Sequence, residues 1–104
     1  MFPRFAFMHV IKKKTLVDFW DRHSDAKAPL IAWFKEAKTA EWNEPRAIKE
    51  RYRSMNFLAG NRVVFNIGGN KYRLIVKIAY TPGVVYIRFV GTHAEYDKID
   101  AERI

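Results

Sequence analysis

Residues 62–90 read RVVFNIGGNKYRLIVKIAYTPGVVYIRFV. Apolar and polar side chains alternate in twos over 62–67, 71–80 and 84–90, which is the period of a strand with one buried face. Gly68-Gly69 and Thr81-Pro82-Gly83 interrupt the alternation, and both are turn formers. A two-residue Gly68-Gly69 turn sets Phe65 opposite Tyr72 and Val63 opposite Leu74, with Val64 opposite Arg73 and Asn66 opposite Lys71 on the other side. Pairing Thr81 with Val84 sets Val76 against Phe89, Ile78 against Ile87 and Lys77 against Arg88. A slip of one residue would turn every apolar side chain outward, so burial enforces the parity. The expected buried face holds Val63, Phe65, Ile67, Tyr72, Leu74, Val76, Ile78, Tyr80, Val85, Ile87 and Phe89. The opposite face holds Arg62, Val64, Asn66, Lys71, Arg73, Ile75, Lys77, Tyr86 and Arg88.

Working outward from this stretch, residues 8–11 are a short apolar run that predicts a first strand. Leu16, Phe19, Trp20 and His23 then recur at helical spacing. Ser24 and Asp25 offer a cap for a second helix, whose stripe is Leu30, Trp33, Phe34 and Ala37. Asn43, Glu44 and Pro45 open a short third helix with Ile48 and Tyr52. Residues 54–60 read as a loop. The expected fold is therefore α+β, with helices packed on one face of a mainly antiparallel four-stranded sheet. Residues 8–104 form one domain. Residues 1–7 (MFPRFAF) read as a disordered extension ahead of a second methionine, Met8.

The composition bounds what such a domain can do. Its 104 residues are 49% hydrophobic and 15% aromatic, which suffices for one core. There is no cysteine, so neither disulfides nor thiolate metal sites are available. No apolar run approaches the roughly 20 residues that cross a bilayer, and the expected location is the cytoplasm. Three histidines without metal-ligand spacing point away from a metal site.

Charge is more telling. The net charge is +8 and the isoelectric point about 9.9. Between Glu50 and Glu95 there is no carboxylate, yet Arg51, Arg53, Arg62, Lys71, Arg73, Lys77 and Arg88 all fall there. Like charges facing one another across a strand pair disfavour folding, so a ligand is expected to supply the missing negative charge. Arginine matches phosphate oxygens bidentately and keeps its charge, and a polyanion, most commonly nucleic acid, is the partner that fits. The bland alternative pairs Arg73 and Arg88 with the later acids Glu95, Asp97 and Asp100. Beyond the last strand, His93 and Tyr96 are three residues apart, one face of a helical turn. Histidine is the usual proton-transfer group near neutrality, although at a helix start it also serves as a capping or packing residue.

The runs NRVVFNIGGNKYRLIVKI and VYIRFVGTHAEYDKID resemble the C-terminal half of the HigB-type toxins of bacterial type II toxin–antitoxin modules, members of the RelE-like superfamily. MHVIKKKTLVDFW resembles that family's start, so the likeness covers most of residues 8–100. The resemblance implies a small α+β endoribonuclease that needs no metal or other cofactor. It implies cleavage of mRNA, typically in the A site of the ribosomal 30S subunit, and neutralisation by a cognate antitoxin, often a helix-turn-helix protein. Carried over residue by residue, Arg73 follows GGN, Arg88 lies in the last strand, and His93 and Tyr96 belong to the THxEYD run; these four are the expected catalytic residues. Arg62, Asn66, Lys71, Lys77, Tyr86 and Lys98 are expected to hold RNA. His93 is expected in proton transfer, and Tyr96 in stacking a base or in proton transfer itself. Competing readings of the same basic face are a non-catalytic RNA- or ribosome-binding module and a domain that meets an acidic protein.

Overall fold

The helical spacing of Leu16, Phe19 and Trp20 does make a helix. In a computed structural model that describes residues 8–104, these side chains are buried along α1 (Lys13–Arg22). A single 3-10 turn, Ser24–Ala26, leads into α2 (Lys27–Thr39). Pro29 falls in the first turn of α2, where a missing N–H costs no helical bond. Leu30, Trp33 and Ala37 form its buried stripe. α3 (Pro45–Arg51) starts with proline at its first position and buries Ile48, the proline being preset for a helix start. The expected Ser24–Asp25 cap is not formed. Asp25 instead accepts hydrogen bonds from Lys71 Nζ and Tyr72 OH, tying the helical layer to the sheet.

The sheet has five strands rather than four. β1 (His9–Ile11), β2 (Met55–Leu58), β3 (Arg62–Ile67), β4 (Tyr72–Ala79) and β5 (Val84–Thr92) stand in the order β1-β5-β4-β3-β2. β1 runs parallel to β5 and every other pair is antiparallel. The extra strand is β2, within the segment expected to be a loop. It lies on the sheet's edge and buries only Met55 fully. Short edge strands of this kind carry little hydrophobic pattern.

Both hairpins close two residues later than a minimal turn would. Ile67 pairs with Tyr72 and Phe65 with Leu74, leaving residues 68–71 as the loop. Gly68 has φ of 63° and Gly69 has φ of 69°, a region that glycine enters without steric cost. The Asn70 carbonyl accepts from Arg73 Nη1 at 3.0 Å. At the second hairpin Ala79 pairs with Val84, and the Gly83 N–H donates to the Ala79 carbonyl at 3.0 Å. Each shift is even, so each side chain keeps its face although its partner changes. Lys77 therefore faces Tyr86 and not Arg88, while the like-charged pair is Arg62 opposite Lys77.

One displacement is odd. Between Ile75 and Val76 the β5 partners jump from Phe89 to Ile87, making Arg88 the extra residue of a β-bulge. Beyond it the parity of β5 reverses. Val90 enters the core, and Phe89, expected there, stands opposite Ile75 on the other face.

The remaining expected core positions pack beneath α1 and α2. At its centre Trp42 stacks on Phe65, while Trp33 and Tyr52 meet Phe65 edge-on at centroid distances of 5.5 and 4.9 Å. The expectation for residues 1–7 lies outside the described residues.

Candidate active site

With both helices on the core side, the other face of β3–β5 is left to cations, to polar side chains and to whatever follows β5. Directly after β5 the chain turns into α4 (His93–Tyr96), touching β4 and β5. The start of this helix is fixed by a reciprocal capping box. The Glu95 N–H donates to Thr92 Oγ1 at 3.1 Å. In return the Thr92 N–H donates to Glu95 Oε1 at 2.8 Å. The Thr92 N–H holds the Glu95 carboxyl below its ordinary pKa, and the positive charge of Arg22 at the end of α1 acts in the same direction. Glu95 thus serves as the fastener of α4.

Of the four expected catalytic residues, Arg73 lies on β4, Arg88 on β5, and His93 and Tyr96 on α4, which touches both strands. Gly91, two residues before α4, lies opposite Arg73. The Arg73 Nη1 donates to the carbonyls of Asn70 (3.0 Å) and Tyr72 (3.3 Å). Carbonyl partners orient a guanidinium without cancelling its charge, whereas a carboxylate would cancel it. Arg88 is exposed on the same face and, among the described residues, has neither a side-chain hydrogen bond nor an ion pair. The later acids have gone elsewhere. Asp97 lies 3.6 Å from His93 Nε2, Asp100 pairs with Arg103, and Glu95 caps α4. Neither arginine is an ordinary surface ion pair.

Arg73 and Arg88 are not side by side. The bulge puts Arg88 between the levels of Ile75 and Val76, roughly 8 Å along the strands from Arg73 at the usual rise per residue. His93 is 58% exposed on α4 and Tyr96 is half-buried one turn on. An imidazole open to solvent beside a carboxylate, two uncancelled guanidinium groups and a phenol can bind a phosphodiester and move protons around it.

The expected RNA-holding residues divide into two groups. Lys77 and Tyr86 are exposed, directly paired across β4 and β5 on the open face, and Lys98 is exposed beyond α4. The others are partly engaged. Asn66, opposite Arg73, donates to the Ser54 carbonyl at 3.2 Å, and Arg62 Nε donates to the main-chain oxygen of Ile104 at 2.8 Å. Lys71 departs from the expected face, because the hairpin loop carries it to Asp25 on the helical side.

The face is not bare. Val64 and Ile75 lie on it yet are only 2% and 0% exposed. Phe89 stands opposite Ile75, and residues 97–104 return from α4 to Arg62 at the far end of β3. Phe89 is the residue of this face that the alternation assigned to the core. The only trace of it in the sequence is that Ile87, Phe89 and Val90 break strict alternation.

Residues 26–99 match the family model described as HigB_toxin, RelE-like toxic component of a toxin-antitoxin system. Over 96 residues the chain is 33% identical to the mRNA interferase toxin HigB of Escherichia coli (strain K12), covering 90% of this chain and 92% of the relative. The mRNA interferase HigB of Shigella flexneri matches to the same extent. The mRNA interferase HigB of Escherichia coli O6:H1 is 24% identical over 94 residues, covering 88% of this chain and 91% of the relative. An α+β fold with this open basic face, matched along nearly its whole length, makes the chain a member of the HigB-type, RelE-like toxin family.

Proposed function

We propose that this chain is an endoribonuclease that cleaves mRNA on its open sheet face, acting as the toxin of a toxin–antitoxin pair. The observation that carries the reading is the pair Arg73 and Arg88. Both are kept free of carboxylates on the face where α4 presents His93 and Tyr96. In the reaction the 2′-oxygen attacks the adjacent phosphorus and the bond from phosphorus to the 5′-oxygen breaks. The products are a 2′,3′-cyclic phosphate and a 5′-hydroxyl. Arg73, held by two carbonyls beside α4, and Arg88, reaching from the bulge, supply positive charge to the phosphorane, so that no metal ion is called upon. A preorganised donor of this kind is worth about 10²–10³-fold in rate. His93 moves the proton, oriented by Asp97, and Tyr96 positions the base or shares the proton transfer. Lys77, Lys98, Tyr86 and Arg62 track the strand, with Asn66 at its margin, while Lys71, paired with Asp25 on the helical side, takes no part.

The same reading places cleavage in the cytoplasm, on message in the A site of the 30S subunit. It makes a helix-turn-helix antitoxin the neutralising partner. Expression of the wild-type chain should arrest growth and create new 5′ ends in translated messages. Arg73→Ala and His93→Ala, with unchanged circular dichroism, should do neither. Growth arrest without new 5′ ends would make the chain a binder that blocks elongation, and undiminished cleavage in both variants would remove the assigned residues from the reaction.

A further inference from the structure

We propose that Phe89 is the stacking platform for a base flanking the scissile phosphate, set there by the bulge at Arg88; this rests on the reading of the open face as the RNA-cleaving site. Three observations converge. The bulge reverses the parity of β5, so Arg88 and Phe89, successive residues, both leave the core side while Ile87 and Val90 enter it. A cation for a phosphate and a flat ring for a base are thereby offered one residue apart. Next, the ring lies along its own strand over Gly91. A β-carbon at Gly91 would stand 2.5 Å from Phe89 Cζ, 3.0 Å from Phe89 Cε1 and 3.2 Å from Glu95 Cβ. The tip of the ring therefore fills the space opposite Arg73, at the foot of the helix that carries His93 and Tyr96. Finally, Phe89 is only half-buried. It stands over Ile75 and leaves aromatic surface to solvent among cations.

A ring in this place acts on RNA through stacking, which every base can supply, and contributes binding more than chemistry. Single-base stacking is worth about 1–3 kcal/mol, so Phe89→Leu should raise KM for cleavage by about 5- to 150-fold with a smaller change in kcat. Leucine keeps apolar cover over Ile75, so a purely structural Phe89 would leave KM unmoved. Phe89→Tyr should retain activity, and Gly91→Ala, which displaces the ring, should resemble the leucine variant. The comparison is made beside Arg73→Ala. Inactive Arg73→Ala with a wild-type KM in Phe89→Leu would overturn the stacking role and leave the site standing. Fully active Arg73→Ala would overturn the site itself. Should the leucine variant not fold, Phe89→Trp gives a second readout, because Trp20, Trp33 and Trp42 are all buried. A 2′-O-methyl oligoribonucleotide should quench the added indole emission, and binding without quenching would contradict the proposal.

Discussion

Arg73 shows how a charge can be held in place without being spent. Two main-chain carbonyls fix one edge of its guanidinium. No acid approaches it among the described residues, so the free edge remains for phosphate oxygens. Asp25 shows the opposite use of charge. Lys71 and Tyr72 both donate to it, lowering the carboxyl below its ordinary pKa and raising those of the lysine and the phenol. For a carboxylate whose folded pKa lies below its unfolded value, the stabilisation is complete above the unfolded pKa and is lost as pH falls through the folded one. Asp25→Asn should therefore lower the urea midpoint at neutral pH, and its difference from wild type should narrow steadily below about pH 4. A difference that grew in acid would show that Asp25 is not charged in the folded pair. From the sequence, Arg73 was legible because no acid lies near it along the chain. The engagement of Lys71 was not, because its partner is 46 residues away.

At the scale of elements, what alternation reveals and what it conceals follow one rule. Parity survives both hairpins because each loop lengthens the turn evenly, so core and open faces stay as read even where partners do not. The bulge at Arg88 adds a single residue and reverses everything after it. Ile87, Phe89 and Val90 are all apolar, so nothing in the pattern chose between them. β2 stayed hidden because an edge strand with one fully buried side chain leaves almost no periodic trace. α4, which carries His93 and Tyr96, is too short to persist on propensity alone. Its stability comes from the box between Thr92 and Glu95. Thr92→Ala should cost about 0.5–2 kcal/mol in urea unfolding. It should also reduce cleavage beyond what the stability loss explains, since His93 and Tyr96 lose their fixed positions. Amide exchange at Glu95 reports it directly, and exchange as slow as in wild type would show that the hydroxyl is dispensable.

For the whole molecule, the division of labour between faces follows from the charge map. The helices and the apolar side of the sheet build the core, while the acid-free stretch between Glu50 and Glu95 supplies the cations of the open face. Binding of single-stranded RNA should then weaken linearly in log–log salt titrations, the slope falling by about 0.7 for each phosphate contact removed. Lys77→Ala should lower the slope by about that amount and weaken all sequences alike, whereas an unchanged slope would place RNA off this face. Central to all of this is metal-free attack by the 2′-oxygen at Arg73 and α4. The most direct measurement is the chemistry of the ends produced when the purified chain cleaves translated message. The expected ends are 5′-hydroxyl and 2′,3′-cyclic phosphate, lost in a folded Arg73→Ala variant. Ends bearing a 5′-phosphate, or cleavage undiminished by that substitution, would contradict it.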